Sequence, residues 1–165
     1  MNINLGCGEF LAPGYRNVDR THSGADYNYD ITQGLPAYEP VERIYAGHVL
    51  EHLYLPELTG ILTRWRTNRF VTPDTQMAVV GPDCDRADAL YADGDLDDED
   101  MELIVDGGHR WEGDAHLWRS TEKQTLGVLL AAGWKARPVT PIALACAGWP
   151  IVSLAAWQFA ILATP

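Results

Sequence analysis

Cysteine is scarce: Cys7, Cys84 and Cys146 are widely spaced and odd in number, which leaves no disulfide framework or zinc ribbon to read and points to a reducing compartment. Basic residues are also few, 12 Lys and Arg against 23 Asp and Glu, for a net charge of −11. Proteins that grip phosphate backbones do so by letting Lys and Arg displace counterions, so non-specific nucleic-acid binding is not expected. No charged n-region followed by an apolar run opens the sequence. No secretory leader is expected, and the expected location is cytoplasmic. An uninterrupted apolar run is missing too. Residues 142–162 are apolar enough to be weighed as a membrane span, and no charge follows Arg137. Gly148, Pro150 and Gln158 interrupt the run after Pro141, and no Lys or Arg flanks its far end, so two closing strands with a small connection are the better reading.

What is present starts with Asn2-Ile3-Asn4-Leu5-Gly6-Cys7-Gly8. Alternating apolar residues running into Gly-x-Gly read as a buried strand that breaks into a tight turn, where backbone without side chains lets a ligand approach. Asp19 closes the next short apolar run, Tyr15-Arg16-Asn17-Val18-Asp19. A second parallel strand would deliver that carboxylate to the same sheet edge, where such an acid accepts hydrogen bonds from ribose hydroxyls. The dinucleotide fingerprint fails, because Leu11 stands where a third small residue belongs and Asp19 comes too early. A nucleoside cofactor without a pyrophosphate, S-adenosylmethionine, suits these residues better.

The remaining chain reads as one α/β domain over residues 1–165. A first crossover of a turn or two of helix ends at Pro13-Gly14, and a polar loop follows that carries Asp30. Residues 43–48 read as a central strand, 49–65 as the helix after it with a break at Pro56, and 75–83 as the next strand. A helix is expected over 87–102. The acidic stretch 93–102 within it lacks the glycine and glutamate that a calcium loop needs at its sixth and twelfth positions, and is expected to be a solvated loop. Thr121 caps a helix to Ala132, Gly133 ends it, and strands 135–140 and 156–164 close the fold. The alternation predicts a doubly wound, Rossmann-like, mostly parallel sheet flanked by helices, with Gly6, Gly8, Asp19, Asp30, His48 and Asp83 converging at the carboxyl ends of its strands.

Leu5-Gly6-Cys7-Gly8, the run 13–19, Tyr29-Asp30-Ile31, and above all Ile44-Tyr45-Ala46-Gly47-His48-Val49-Leu50-Glu51-His52-Leu53 resemble the class I S-adenosylmethionine-dependent methyltransferases of compact bacterial and phage type. The likeness continues through Val80-Gly81-Pro82-Asp83, residues 116–121 and 129–134, and the closing run 157–163. The resemblance implies an antiparallel last strand and a cofactor site of Leu5, Gly6, Cys7, Gly8, Asp19, Asp30, Ile31 and His48, with Gly6 and Gly8 at the methionine part, Asp19 on the ribose and Asp30 with Ile31 at the adenine. It places His48 where cofactor and acceptor meet, and makes Glu51 and His52 structural ties. The expected reaction moves a methyl group to an oxygen or nitrogen of a small-molecule acceptor, less readily a protein one. His48, His109 and His116 are the candidates for catalytic base, and the aromatic and basic residues around His109 and His116 are candidates for an acceptor pocket. Against the resemblance, no helix is expected before the first strand, and part of the usual lid is expected to be missing. The segment 87–118, or a second copy of the chain, is expected to cover the site. The Asn/Asp-Pro-Pro-aromatic run of amino-methylating nucleic-acid enzymes is replaced by Gly47-His48-Val49-Leu50.

Two rival readings stand beside this one. A methyltransferase-like fold can serve as a non-catalytic binding or assembly module. His48-x-x-Glu51-His52 also matches an inverted zinc-peptidase pattern, with Glu99 or Asp106 as a nominal third ligand. The methyltransferase reading itself expects no metal.

Overall fold

The computed structural model describes residues 1–22, 24–108 and 113–165. The strands are β1 Asn2–Leu5, β2 Arg16–Asp19, β3 Tyr27–Asn28, β4 Val41–Gly47, β5 Val71–Pro82, β6 Lys135–Val139 and β7 Gln158–Thr164. The helices are α1 Leu55–Arg66, α2 Cys84–Asp93, α3 Asp98–Asp106, α4 Glu122–Ala131 and α5 Pro141–Cys146, with 3-10 turns at Ile31–Gln33 and Leu50–His52. All seven strands join one sheet in the order β3-β2-β1-β4-β5-β7-β6. β1 pairs in parallel with both β2 and β4, so Leu5 faces Val18 on one side and Ala46 on the other. β7 runs antiparallel between β5 and β6. The chain therefore folds outward from β1 in both directions, and the strand order reverses between β1 and β4, where sheets of this kind open a crevice.

Period-two alternation sends neighbouring residues of the central strands to opposite faces. Ile44, Ala46, Met77 and Val79 enter a large core beneath α1 and α4, whereas Tyr45, Ala78 and Val80 pack on the other face with Leu144 and Trp149. On α1, Leu58, Ile61, Leu62 and Trp65 recur at three- and four-residue spacing and are all buried, each worth roughly 1.5–3 kcal/mol. Pro56 sits in the first turn of α1, where its missing N–H costs nothing. Residues 49–65 are accordingly a 3-10 turn followed by a helix rather than one helix. No helix among the described residues is long and apolar enough to cross a membrane, and the apolar stretch after Arg137 folds as part of β6, then α5, a connection and β7.

Two local expectations are corrected. No helix forms between β1 and β2. A buried amide pair does its hydrogen bonding instead: Asn4 Nδ2 donates to Asn17 Oδ1 and to the Phe10 carbonyl (both 2.9 Å), and Asn17 Oδ1 also takes the Ala12 N–H (2.8 Å). With the loop's polar groups satisfied by side chains, a connection too short for a helical crossover still closes. The acidic stretch is not a loop either. Its charges sit at the start of α3, where they complement the helix dipole, and Asp97 and Asp100 form a reciprocal capping box. Asp97→Ala is expected to weaken α3 by about 1 kcal/mol, seen as roughly fivefold faster hydrogen exchange of α3 amides with little change in β4 and β5.

Candidate functional site

A cavity of about 520 Å3 lies over the carboxyl ends of β1, β2 and β4, within the roughly 300–1,000 Å3 usual for small-molecule sites. Gly6, Cys7 and Gly8 after β1, Asp19 at the end of β2, Asp30 and Ile31, and Gly47 and His48 line one side. Leu103 and Ile104 of α3, His116, and Ser153, Trp157 and Gln158 line the other.

The turn after β1 is shaped by two glycines in left-handed conformation, Gly6 at φ 57° and Gly8 at φ 48°. They serve different ends. A Cβ on Gly6 would lie 2.6 Å from Val49 Cγ2, whereas one on Gly8 would meet no protein atom within 4 Å. Gly6 is there for close packing, and Gly8 keeps cavity space open. Cys7, between them, is buried, and burial together with the Asp19 charge pushes its thiol up to about 11. It is a neutral wall residue rather than a nucleophile.

Asp19 is held rigidly. Oδ2 accepts from the Gly8 N–H (2.9 Å), while Oδ1 accepts from the Thr21 N–H (2.8 Å), the Thr21 hydroxyl (3.2 Å) and the His22 N–H (2.9 Å). Burial opposes ionisation, but the backbone N–H donors of Thr21, His22 and Gly8 outweigh it and hold the carboxyl below its ordinary value. Oδ2 retains acceptor capacity facing the cavity. Asp30 works twice: Oδ1 accepts from the Thr32 hydroxyl (2.7 Å) and N–H (3.0 Å), capping the 3-10 turn, and the residue lines the cavity. The Thr32 hydroxyl is the main cause of its lowered pKa. Ile31 is fixed through its carbonyl, which accepts from Trp65 Nε1 (2.8 Å).

His48 ends β4 at φ 55°, the single non-glycine residue with positive φ among those described, a conformation that costs roughly 1–2 kcal/mol and that its surroundings enforce. Its N–H donates to the Val80 carbonyl (2.8 Å) and its ring stands edge-on to Trp157. Nε2 lies 2.6 Å from Gln158 Nε2. The Gln158 amide is oriented by the Ala155 N–H, which donates to its Oε1. Its nitrogen therefore donates, and His48 Nε2 accepts. Nδ1 carries the ring proton and faces Glu51 Oε1 at 3.4 Å.

The sequence-predicted residues are thus gathered into one cavity, with exceptions. Leu5 is fully buried in the core, because strand alternation turns its side chain away from the cavity. Asp83 is buried at the start of α2 and faces Arg86 at 3.6 Å, so Pro82 rather than Asp83 reaches the wall. His109, with Arg110 and Trp111, falls outside the described residues. Residues 48–52 are not one helix, so His48 and His52 do not share a helical face, and Glu99 and Asp106 are exposed and join no cluster with them. The zinc-peptidase constellation is not assembled. Glu51 and His52 do tie the loops: the Glu51 carbonyl accepts from the Leu117 N–H (2.8 Å), and His52 Nδ1 bonds the Ala115 carbonyl (3.1 Å).

No protein-family model matches the sequence, and a search of curated proteins finds no match. Solved structures do match. The chain superposes on the pyocyanin biosynthetic protein PhzM with TM-score 0.56 at 15% identity, over 92% of this chain and 43% of that one. Human N-acetylserotonin methyltransferase in complex with S-adenosylmethionine gives 0.54 at 16% identity, over 98% and 46%. CalO1, a methyltransferase of calicheamicin biosynthesis with S-adenosylhomocysteine bound, gives 0.51 at 14%, over 93% and 42%. The fold is that of the class I S-adenosylmethionine-dependent methyltransferases. This chain spans less than half the length of these three proteins.

Within that methyltransferase fold, sequence reading missed Gln158, Ser153 and the orientation of Trp157. Gln158 left one mark, as the lone amide in an otherwise apolar closing strand, and it is 1% exposed. A polar side chain so placed must find a partner, and here the partners are His48 and Ser153.

Proposed function

We propose that the chain binds S-adenosylmethionine in this cavity and transfers its methyl group to an oxygen or nitrogen of a small-molecule acceptor. The observation that carries the proposal is the pairing of Gly8 and Asp19. The glycine holds open a space that any Cβ would enter, and beside it a fixed, ionised carboxylate keeps unspent acceptor capacity, which fits a cofactor that brings ribose hydroxyls past a bare backbone. Bound there, the cofactor supplies an electrophilic methyl on sulfur. Gly6 and Gly8 shape the turn beside its amino-acid part, Asp19 takes the ribose, and Asp30 with Ile31 borders the base. His48, locked by Gln158 and Glu51, forms the wall between cofactor and acceptor. Displacement at a sulfonium methyl needs alignment above all. For acceptors that must lose a proton, His116 is the better placed base: burial lowers its pKa and keeps it neutral, its Nδ1 bonds the Ile104 carbonyl (3.0 Å), and Nε2 remains without a partner.

The test is calorimetric titration with S-adenosylmethionine and S-adenosylhomocysteine. One equivalent of each is expected to bind wild type. Gly8→Ala is expected to fold, at a cost of about 1 kcal/mol for its positive φ, and to bind at least tenfold more weakly. Failure of the folded wild type to bind either compound overturns the proposal. One observation favours a second reading, a non-catalytic binding module: His48 Nε2 is already taken by Gln158. Binding of the cofactor with no turnover across an acceptor panel of phenols, hydroxy acids and amines would support that reading.

A further inference from the structure

Beside the His48 wall lies a cluster of which the methyltransferase reading uses His116 as a base and Glu51 only as a neighbour of His48. One ligand-capable atom each of Glu51, His52 and His116 lies within 4.8 Å of the other two. Glu51 is 2% exposed, and its Oε1 makes no well-formed hydrogen bond among the described residues, facing only His48 Nδ1 at 3.4 Å. The two imidazoles stack edge to face with centroids 4.8 Å apart. Each spends Nδ1 on a backbone carbonyl, His52 on Ala115 and His116 on Ile104. A carbonyl on Nδ1 fixes the tautomer of a ligating histidine and leaves the Nε2 lone pair for a metal.

Charge points the same way. No Lys or Arg among the described residues pairs with Glu51, whose single ion-pair contact is His48. A carboxylate buried this deeply, with no Lys or Arg beside it, leaves an oxygen that a cation can satisfy.

We infer that Glu51, His52 and His116 form a site for a divalent transition-metal ion of the zinc type at the rear of the cavity. This departs from the expectation of no metal, and it replaces His48 of the sequence motif by His116, brought in from 64 positions beyond His52 in the chain. Two imidazole nitrogens and one carboxylate with an open fourth position is a donor set that zinc accepts. Tetrahedral bonding at about 2.1 Å sets ligand atoms about 3.4 Å apart, so a spacing of up to 4.8 Å must close by as much as about 1.4 Å when the ion binds. His52 and His116 line the cavity and Glu51 does not, so the open position would lie on the cavity side. With His116 Nε2 on the ion, a hydroxyl bound there would be acidified by the ion, which would take the place of His116 as free base. Binding of the ion itself does not rest on the methyltransferase reading.

The test uses the full chain stripped with a chelator and titrated with zinc alone, followed by calorimetry, metal analysis and the visible spectrum of the cobalt-substituted protein. One equivalent of zinc and a tetrahedral cobalt spectrum are expected. His52→Ala and His116→Ala should each weaken zinc at least about hundredfold, while His48→Gln keeps the one-to-one stoichiometry. Circular dichroism checks the fold, and His116→Gln, which preserves more of the local packing, serves if either alanine variant fails to fold. Absence of stoichiometric zinc in the folded wild type, or binding that persists after substitution of His116, overturns the inference. Titration with S-adenosylmethionine in the presence of chelator separates the two claims: cofactor binding without zinc binding defeats the metal site alone, and the reverse defeats the cofactor reading alone.

Discussion

Trp65→Ala will lower the free energy of unfolding by about 3–5 kcal/mol, a large share of the roughly 5–15 kcal/mol that holds a typical domain together. Trp65 is 0% exposed and lies in the main core with the rest of the α1 stripe. Truncation therefore leaves a cavity that rigid neighbours on the sheet and α4 cannot refill. The substitution reaches the cofactor side as well, since Trp65 Nε1 is the donor that holds the Ile31 carbonyl in place. Trp65→Phe separates the two effects. It keeps most of the volume, leaves the Ile31 carbonyl with the Gly34 N–H (3.2 Å) as its remaining donor at a cost of about 0.5–1.5 kcal/mol, and should weaken S-adenosylmethionine binding more than its modest stability loss alone predicts. Urea melts of the two variants with and without the cofactor measure both terms. A loss below about 1 kcal/mol for Trp65→Ala would contradict the packing described.

Asp19→Ala carries the largest expected effect on binding. Removing the carboxylate takes away the proposed ribose acceptor and frees the four donors that it organises, including the Gly8 N–H. The expected loss of affinity for S-adenosylmethionine is at least about hundredfold, or roughly 2.7 kcal/mol. Asp19→Asn keeps the shape and removes the charge, and it gives a pH signature. Because the folded-state pKa of Asp19 lies below its ordinary value of 3.8, its stabilising contribution is present above that value and is lost as pH falls through the lower, folded one. The gap in stability between wild type and Asp19→Asn should be constant from neutral pH down to about 5 and close below about 4. A gap that widens on acidification would show that Asp19 is not held by the donors assigned to it.

Much of the fold was legible because it is written locally. Glycines directly after an alternating apolar run mark the end of β1, and the three- and four-residue spacing of Leu58, Ile61, Leu62 and Trp65 marks α1. Asp19 could be placed from its position at the end of a second short run. The failures share another character. The first crossover could not be read because a pair of amides, Asn4 and Asn17, replaces a helix, and amide pairing across strands has no periodicity. The acidic run reads in sequence as a failed calcium loop and a charged loop, whereas the three-residue spacing of Asp97 and Asp100 closes a capping box. The contact of His48 with Gln158 spans 110 positions, and the approach of His116 to Glu51 and His52 arises only once the segment after α3 folds back against the 3-10 turn. Such meetings belong to topology, and no local pattern announces them.

The position of β7 has a consequence for how the molecule is made. β7 is the last strand in the chain, yet it pairs on both sides, with β5 and with β6. During synthesis β5 is therefore an unpaired edge, and β6 has no neighbour at all, until the strand that fits between them emerges. A slot must be kept open and then filled from the far end of the sequence, a late, non-local closure of the type that slows folding and leaves sticky edges exposed in the meantime. Gln158 begins that strand. The His48 wall is finished only when the slot closes, so nascent chains will acquire the cofactor crevice last, and ligand added during refolding will speed recovery only after β7 has docked.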